Sequence, residues 1–554
     1  MSKHSQRVVV RISCAISVSR TLAIIGLMLA MASAAFGQYT PVYGGPTYDA
    51  PTGTGYTGFD FSAGSINDAG LAAARTQRFV SGGDKGLRPI CWQPGSPVTY
   101  LACFGTDADG VAQSRAYAVN TAGVIVGSVA KYVNSTSEGT RAVRWEAGSL
   151  SATELDSLGF SAGGSAYAGA FATNSGGTAA GSSLKYVSGS SVGERAVRWE
   201  PGGTAAVELG VIGTSGSGYT VASASAINSA GTAVGYAQKY LSGSYLGSRA
   251  VRWNAGGTAA TELGHLNSDP NGYTSASATA VNDAGTAVGY AFKQVGASSL
   301  GNRAVRWDAG TTGATELGNL GTDANGYSDA KAAAVNGAGT IVGYAEKYVA
   351  GVDKGPRAVR WNAGSTAATE LGNLGTDAGG GANGISSGGT AVGSVYVSGL
   401  GQRAVLWGAG GVAVDLNSLV DPASGWILNS ISTVSPNGRW AAGIGSYDPD
   451  GPGPLGAYNR LWIMQASHSG DATRDNLVNV DDLGVLASNY DSPGTAVWEG
   501  GDFTGDGIVN VDDLGILASN YDWVGPGGQN LPEPTGLIVL SAAGALLVRC
   551  RRVA

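Results

Sequence analysis

The phrase RAVRW occupies residues 141–145 and returns at 195–199, 249–253, 303–307 and 357–361, with RAVLW at 403–407. The first five copies are spaced by 54 residues, and each belongs to a longer unit such as ASASAINSAGTAVGYAQKYLSGSYLGSRAVRWNAGGTAATELG, Ala222 to Gly264. Two markers extend the series beyond the phrase. Tryptophans fall at Trp92, Trp145, Trp199, Trp253, Trp307, Trp361, Trp407 and Trp462. The residue that opens a small-residue turn runs Asn67, Asn120, Asn174, Asn228, Asn282, Asn336, Ser386 and Ser435. Both series give eight copies.

Each unit holds four short runs rich in alanine, valine and aromatic residues, separated by glycine turns such as SAGT and NAGGT, which reads as four β-strands. A repeat near 50 residues with four strands suits a propeller blade, because each small sheet covers its neighbour and a ring protects most edges. The predicted fold class is mainly β: an eight-repeat β-propeller of seven or eight blades over 38–465, with a β-solenoid as the alternative. The eighth copy reaches RLWIMQ at 460–465 but lacks the TELG-like fourth strand, so QYTPVYGG from Gln38 is expected to complete it.

In an extended strand Arg141, Val143 and Trp145 face one way, and Ala142 and Arg144 the other. Tryptophan supplies a large apolar contact between sheets, whereas a covered arginine needs a partner. Glu154, Glu208, Glu262, Glu316 and Glu370 of the following strand are candidate partners. The sequence leaves open which arginine of the phrase they meet. Lys131, Lys185, Lys239, Lys293 and Lys347 recur at the same interval. Residues repeated in every unit point to a contact made in every unit, against the other reading of a ring of weak sites for a polyanion or glycan. The loops GTDADG at 105–110, GTDANG at 321–326 and GTDAGG at 375–380 are expected as tight turns, with calcium loops as the alternative.

These units, from about Ile66 to Gln465, resemble the HAF-type extracellular repeats of bacterial secreted proteins, with an IN..G..VG strand, an aliphatic-tryptophan strand and an acidic-leucine-glycine strand. Arginine stands here at that family's usual histidine before alanine. The resemblance implies secretion and no particular activity.

After a linker at 466–469 the chain changes character over 470–523. GDATRDNLVNVDDLGVLASNYD is followed 31 residues later by GDFTGDGIVNVDDLGILASNYD. Oxygen donors at alternating positions with a carboxylate at the twelfth predict two Ca2+ sites. The first comprises Asp471, Thr473, Asp475, the Leu477 carbonyl, Asn479 and Asp482, and the second Asp502, Thr504, Asp506, the Ile508 carbonyl, Asn510 and Asp513. A short helix is expected after each loop. Eleven carboxylates against Arg474 alone make this stretch self-repelling, so its folding should depend on calcium. The duplicated loop-and-helix resembles a type I dockerin, a small α-helical, paired EF-hand-like module. That resemblance implies docking to a cohesin-like protein through Val480 and Asp481 in one copy and Val511 and Asp512 in the other, in either orientation.

Both ends of the chain read as addresses. Lys3, Arg7, Arg11 and Arg20 precede an apolar run from Leu22 to Gly37, which predicts an export signal over 1–37 cleaved near Ala34 or Gly37. After a linker at 524–530, residues 531–554 present Pro532-Glu533-Pro534, an apolar run from Thr535 to Val548, and Arg549, Arg551 and Arg552. As a helix that run reaches about 21 Å, short of the roughly 30 Å hydrocarbon core, which suits a transient signal better than an anchor. The order of parts resembles a PEP-CTERM sorting tail. It implies transient contact with the inner membrane, cleavage by an exosortase, and a final place in the cell envelope or outside the cell.

Cys91 and Cys103 are the cysteines left between these addresses, either one disulfide or two buried thiols. The net charge of −7 becomes about −14 once the four positive charges of the signal and the three of the tail are removed, which opposes nucleic-acid binding. His265 and His468 offer little material for a histidine-based triad, and no carboxylate stands out from its repeat. The expectation is therefore a non-catalytic scaffold carrying a docking module. A polysaccharide-degrading enzyme of the glycoside hydrolase kind, or a binder of extracellular polysaccharide, is the alternative.

Overall fold

The computed structural model describes residues 42–44 and 65–521, apart from 81–82, 297, 376–378, 452, 455, 467, 475–476, 492–495 and 505. The expected export signal and the expected sorting tail, with Pro532, Glu533, Pro534, Arg549, Arg551 and Arg552, lie outside the described residues. Among the described residues no helix is long and apolar enough to cross a membrane.

The body is mainly β, and the 54-residue period becomes a succession of small antiparallel sheets. The fourth unit is representative, with strands Ala222–Ile227, Ala233–Leu241, Ser244–Trp253 and Ala260–Glu262 paired in chain order. Register sets Ala233 opposite Trp253 and Val251 opposite Glu262. A bulge falls between Ala224 and Ala226, and the chain crosses so closely there that a Cβ on Gly235 would lie 2.0 Å from the Ser223 carbonyl oxygen. This close approach accounts for the VG pair of the repeat.

Units two and three share one eight-stranded sheet through a short parallel pairing of Gly139 and Thr140 with Ala166 and Tyr167. In the last unit, strands Trp426–Val434, Trp440–Tyr447 and Tyr458–Gln465 are completed by Tyr43–Gly44, which pairs antiparallel with Trp462 and Ile463. The strand expected from the amino-terminal stretch is thus present.

The apolar core lies between sheets. Val234, Ala250 and Leu263 of the fourth unit pack with Ala276, Val305 and Trp307 of the fifth, and every adjacent pair repeats this arrangement. One further cluster joins Ala442, Leu461 and Ile463 of the last unit to Ile66, Ile90 and Trp92 of the first. The packing therefore returns to its start, a β-propeller-like succession. Strands that run up and down leave two faces. One carries the turns after the first and third strands; the other carries the hairpin between the second and third strands and the loop to the next unit.

The repeated phrase serves these junctions. Val143 and Trp145 pack toward the preceding unit, and Ala142 toward the next. Tryptophan Nε1 donates backward, from Trp199 to Asp156 O at 3.0 Å and from Trp253 to Gly210 O at 2.9 Å. The first arginine meets the glutamate, as in Arg141–Glu154 at 2.8 Å and Arg249–Glu262 at 3.3 Å, and also reaches forward, Arg249 donating to Thr274 O at 2.7 Å. The second arginine reaches forward, and in two units it also pairs with the carboxylate two residues on, Arg198 with Glu200 and Arg306 with Asp308, each at 2.7 Å. Arg144 donates to Gly203 O at 3.0 Å and Glu200 O at 2.9 Å, and Arg252 to Thr311 O at 2.9 Å and Asp308 O at 3.1 Å. The choice the sequence left open is settled: glutamate takes the first arginine, and the next unit's carbonyls take the second. The five recurring lysines pair with the same glutamates at 2.6–2.9 Å, which favours the structural reading of the repeat.

Candidate metal centre and docking face

The stretch after the repeats has its own small core of Ala472, Val478, Leu483, Leu486, Trp498, Phe503, Val509 and Leu517. Two helices, Val480–Asn489 and Val511–Asn520, follow the two loops as expected. Each starts on an asparagine cap in a reciprocal capping box: Asp481 N donates to Asn479 Oδ1 at 2.6 Å, and Asn479 N to Asp482 Oδ2 at 2.9 Å. Asp512 N and Asn510 N repeat the pattern with Asn510 Oδ1 and Asp513 Oδ2, at 2.7 and 2.9 Å.

Asp502, Asp506 and Asp513 bring their carboxylate oxygens within 4.8 Å of one another, with Asp502 and Asp513 buried and Asp506 exposed. The loop backbone holds this set open: Phe503 N and Thr504 N each donate to Asp513 Oδ1 at 2.8 Å, and Gly507 N to Asp502 Oδ2 at 2.9 Å. Gly507 has φ +84°, the left-handed turn expected at position six. Thr504 Oγ1 donates to Asp502 Oδ1 at 3.2 Å, and Ile508 N to Asp506 Oδ1 at 2.9 Å.

In the first loop Asp471 and Asp482 are buried, and Thr473 donates through N and Oγ1 to Asp482 Oδ1 at 2.9 and 3.1 Å. Leu477 is half-buried, and Asp475 lies outside the described residues. The Asn479 and Asn510 side chains, expected as ligands, also cap the helices, each Oδ1 accepting one backbone amide. Burying several carboxylates together is costly without an opposing charge, and an all-oxygen donor set is that of a hard divalent cation. The residues present therefore fit Ca2+. Of the expected partner-binding residues, Asp481, Val511 and Asp512 are exposed and Val480 is half-buried.

The module rests on the face of the repeats that carries the turn asparagines. Those asparagines form a ladder the sequence did not disclose. Asn120 Nδ2 donates to Asn174 O, Asn174 to Asn228 O, Asn228 to Asn282 O and Asn282 to Asn336 O, each at 3.0 Å. Asn67 adds a rung to Asn120 O at 3.1 Å and Asn336 one to Ser386 O at 3.2 Å. Each Oδ1 meanwhile accepts the amide four residues on, as Asn228 does from Thr232 at 2.9 Å.

Other expectations resolve locally. The GTDADG and GTDANG loops are turns, with Asp107 Oδ1 accepting Val111 N at 2.7 Å and Asp323 Oδ1 accepting Tyr327 N at 2.7 Å; residues 376–378 of the third loop are not described. Cys91 and Cys103 are free thiols rather than a disulfide. Cys91 sits opposite Thr99 across the sheet, so Cys103 lies past the paired register. Burial pushes both thiols up in pKa.

One carboxylate cluster does stand out from its repeat, contrary to the sequence reading. The sixth unit has Asp329, Glu346 and Asp353 where the fourth and fifth have Val221 and Ser275, Gln238 and Phe292, and Tyr245 and Ser299. Tyr344 Oη donates to Asp329 Oδ2 at 2.6 Å, and burial, with Asp353 beside it, raises the Glu346 carboxyl.

No known family profile matches the chain, and no curated protein matches it. Solved structures similar to it include the β-propeller domain of the Trilobed protease from Pyrococcus furiosus, described as having an open velcro topology, at 9% identity and a TM-score of 0.38 over 64% of this chain and 98% of that one. Prolyl oligopeptidase B from Galerina marginata is similar at 9% identity and a TM-score of 0.41, over 75% of this chain and 57% of that one. A puromycin hydrolase is similar at 12% identity and a TM-score of 0.35, over 74% of this chain and 63% of that one. The chain thus spans little more than half the length of prolyl oligopeptidase B. The expectation that the protein is not an enzyme is withdrawn, since its structural neighbours include peptidases of the prolyl oligopeptidase type. At these identities and TM-scores the likeness brings none of their chemistry to this chain.

Proposed function

We propose that this is an exported scaffold whose repeats form a closed eight-bladed β-propeller and whose acidic module binds two Ca2+ and docks a protein partner. Ring closure is supported by the core cluster joining the last unit to the first and by the Tyr43–Gly44 strand. The observation that carries the docking reading is the convergence of Asp502, Asp506 and Asp513. Bound calcium supplies positive charge that offsets the repulsion of the loop carboxylates. Asp502, Asp506 and Asp513 would hold it in the second loop, and Asp471 and Asp482 with Thr473 in the first.

The partner surface is the exposed start of the two helices, Val511 and Asp512 with Asp481 and Val480, and a cohesin-like protein is the kind of partner it suits. The two terminal segments support export and sorting to the envelope or matrix by an exosortase. Calorimetry of the full mature chain with CaCl2, beside capture of a purified cohesin with and without EDTA, tests the reading. Two binding events and EDTA-sensitive capture are expected. Absence of binding heat at millimolar calcium overturns it.

A further inference from the structure

The asparagine ladder stops at the seventh unit, and the acidic module is seated at the gap. Asparagine at the turn offers two arms, an oxygen for its own turn and an amide for the next unit; serine offers a single hydroxyl. Ser386 Oγ keeps the first role, accepting Thr390 N at 3.0 Å, and Ser435 Oγ accepts Trp440 N at 2.9 Å. Neither makes the cross-unit rung. Between the seventh and eighth units the junction keeps a backbone bond, Ser387 N to Pro436 O at 2.8 Å, and between the eighth and first Asn437 N donates to Asp68 Oδ1 at 2.7 Å.

Glu499, between the two loops of the module, fills the missing place. Its Oε1 accepts Ser386 Oγ at 2.9 Å and also the Thr390 hydroxyl. The same carboxylate faces Arg474 Nε at 3.3 Å. Arg474 is buried, lies over the Trp498 ring and donates to Gly438 O of the eighth unit. Trp498 N donates to Asn437 O at 3.2 Å, and Arg439 of the eighth unit donates to Thr504 O.

These contacts come from the loops themselves. Arg474 follows Thr473 in the first loop, in a left-handed conformation with φ +57°, and Thr504 belongs to the second. The Asp471 carbonyl accepts Trp498 Nε1 at 2.9 Å. Loop closure therefore sets the positions of Arg474, Trp498 and Thr504, and through them Glu499.

We propose that calcium binding by the module clamps the ring across its seventh and eighth units, Glu499 acting as the removable rung of the ladder. This rests on the proposed calcium sites and adds that their occupancy is felt in the repeats. Without the cation the crowded carboxylates push the loops apart, and the seam loses both its carboxylate acceptor and the arginine that orients it.

Hydrogen exchange of the full mature chain in CaCl2 and in EDTA tests this, alongside calorimetry of the same samples. Amides over 386–390 and 435–440 should exchange about tenfold more slowly with calcium, while the matching turn at 228–232 of the fourth unit is unchanged. Glu499→Ala should abolish the difference. Gly388→Ala is the milder variant, since a Cβ there would lie 2.6 Å from Glu499 Oε2 without touching the module's own core; it should abolish the difference while calcium heat persists. Calcium heat in the wild-type chain with no change at 386–390 refutes the clamp and spares the metal reading. Seam protection retained in both variants also refutes it. Absence of calcium heat removes both.

Discussion

Replacing Arg252 by leucine tests whether the second arginine of the phrase is a staple between units. Arg252 is 5% exposed and sends two hydrogen bonds into the turn at 308–311 of the fifth unit, to Thr311 O at 2.9 Å and Asp308 O at 3.1 Å, with a third, long one to Gly285 O at 3.4 Å. Bonds from a charged donor contribute about 1.5–3 kcal/mol each; because the accepting turn is exposed and its carbonyls regain water, the lower end applies, and the pair is worth about 3 kcal/mol. Leucine returns little by burial, since the arginine stem is already covered. Arg306→Leu is the internal scale. Its guanidinium makes one long forward bond, to Ser365 O at 3.3 Å, and otherwise pairs with half-exposed Asp308. That loss should cost about 1 kcal/mol. Urea unfolding of the full mature chain in CaCl2, followed by tryptophan fluorescence, should place the midpoint of Arg252→Leu well below that of Arg306→Leu. Equal midpoints, or a shift for Arg252→Leu within about 0.5 kcal/mol of wild type, would refute the staple.

Three further outcomes follow from the structure. Asp513→Asn removes a buried charge that three backbone amides orient, and calorimetry should then register one calcium instead of two. Glu346 has its pKa raised by burial, so its charged form is the disfavoured one in the fold; stability should rise as pH falls through that folded pKa toward the ordinary glutamate range, and Glu346→Gln should stabilise the chain at pH 7 and flatten the dependence in thermal melts. Alkylation under denaturing conditions without reductant should label both Cys91 and Cys103, and a mass two hydrogens light with no label would show a disulfide instead.

The strands and the completing amino-terminal segment were legible because periodic alanine, valine and glycine report local geometry directly. The pairing of Arg249 with Glu262, and of Arg252 with the next unit, was not, because both arginines share the same period and only register separates them. The turn asparagines were visible as markers of the repeat, yet their amide arms act across 54 residues, and a turn motif alone gives no sign of that. Glu499 carried no signal at all. It belongs to neither acidic loop, and its partners Ser386 and Thr390 stand more than a hundred residues earlier. The loop aspartates were readable from spacing, whereas the use of Asn479 and Asn510 as caps depended on where each helix begins.

The asparagine ladder has a direction, every amide pointing from one unit to the one that follows. A directional chain of like joints closes only when its last member meets its first; otherwise the free end offers a surface complementary to the opposite end of another molecule. Should the Tyr43–Gly44 strand be lost, the expected failure is head-to-tail growth into open filaments rather than simple unfolding, with Asp68 of one molecule's first unit meeting Asn437 of another at the new junction.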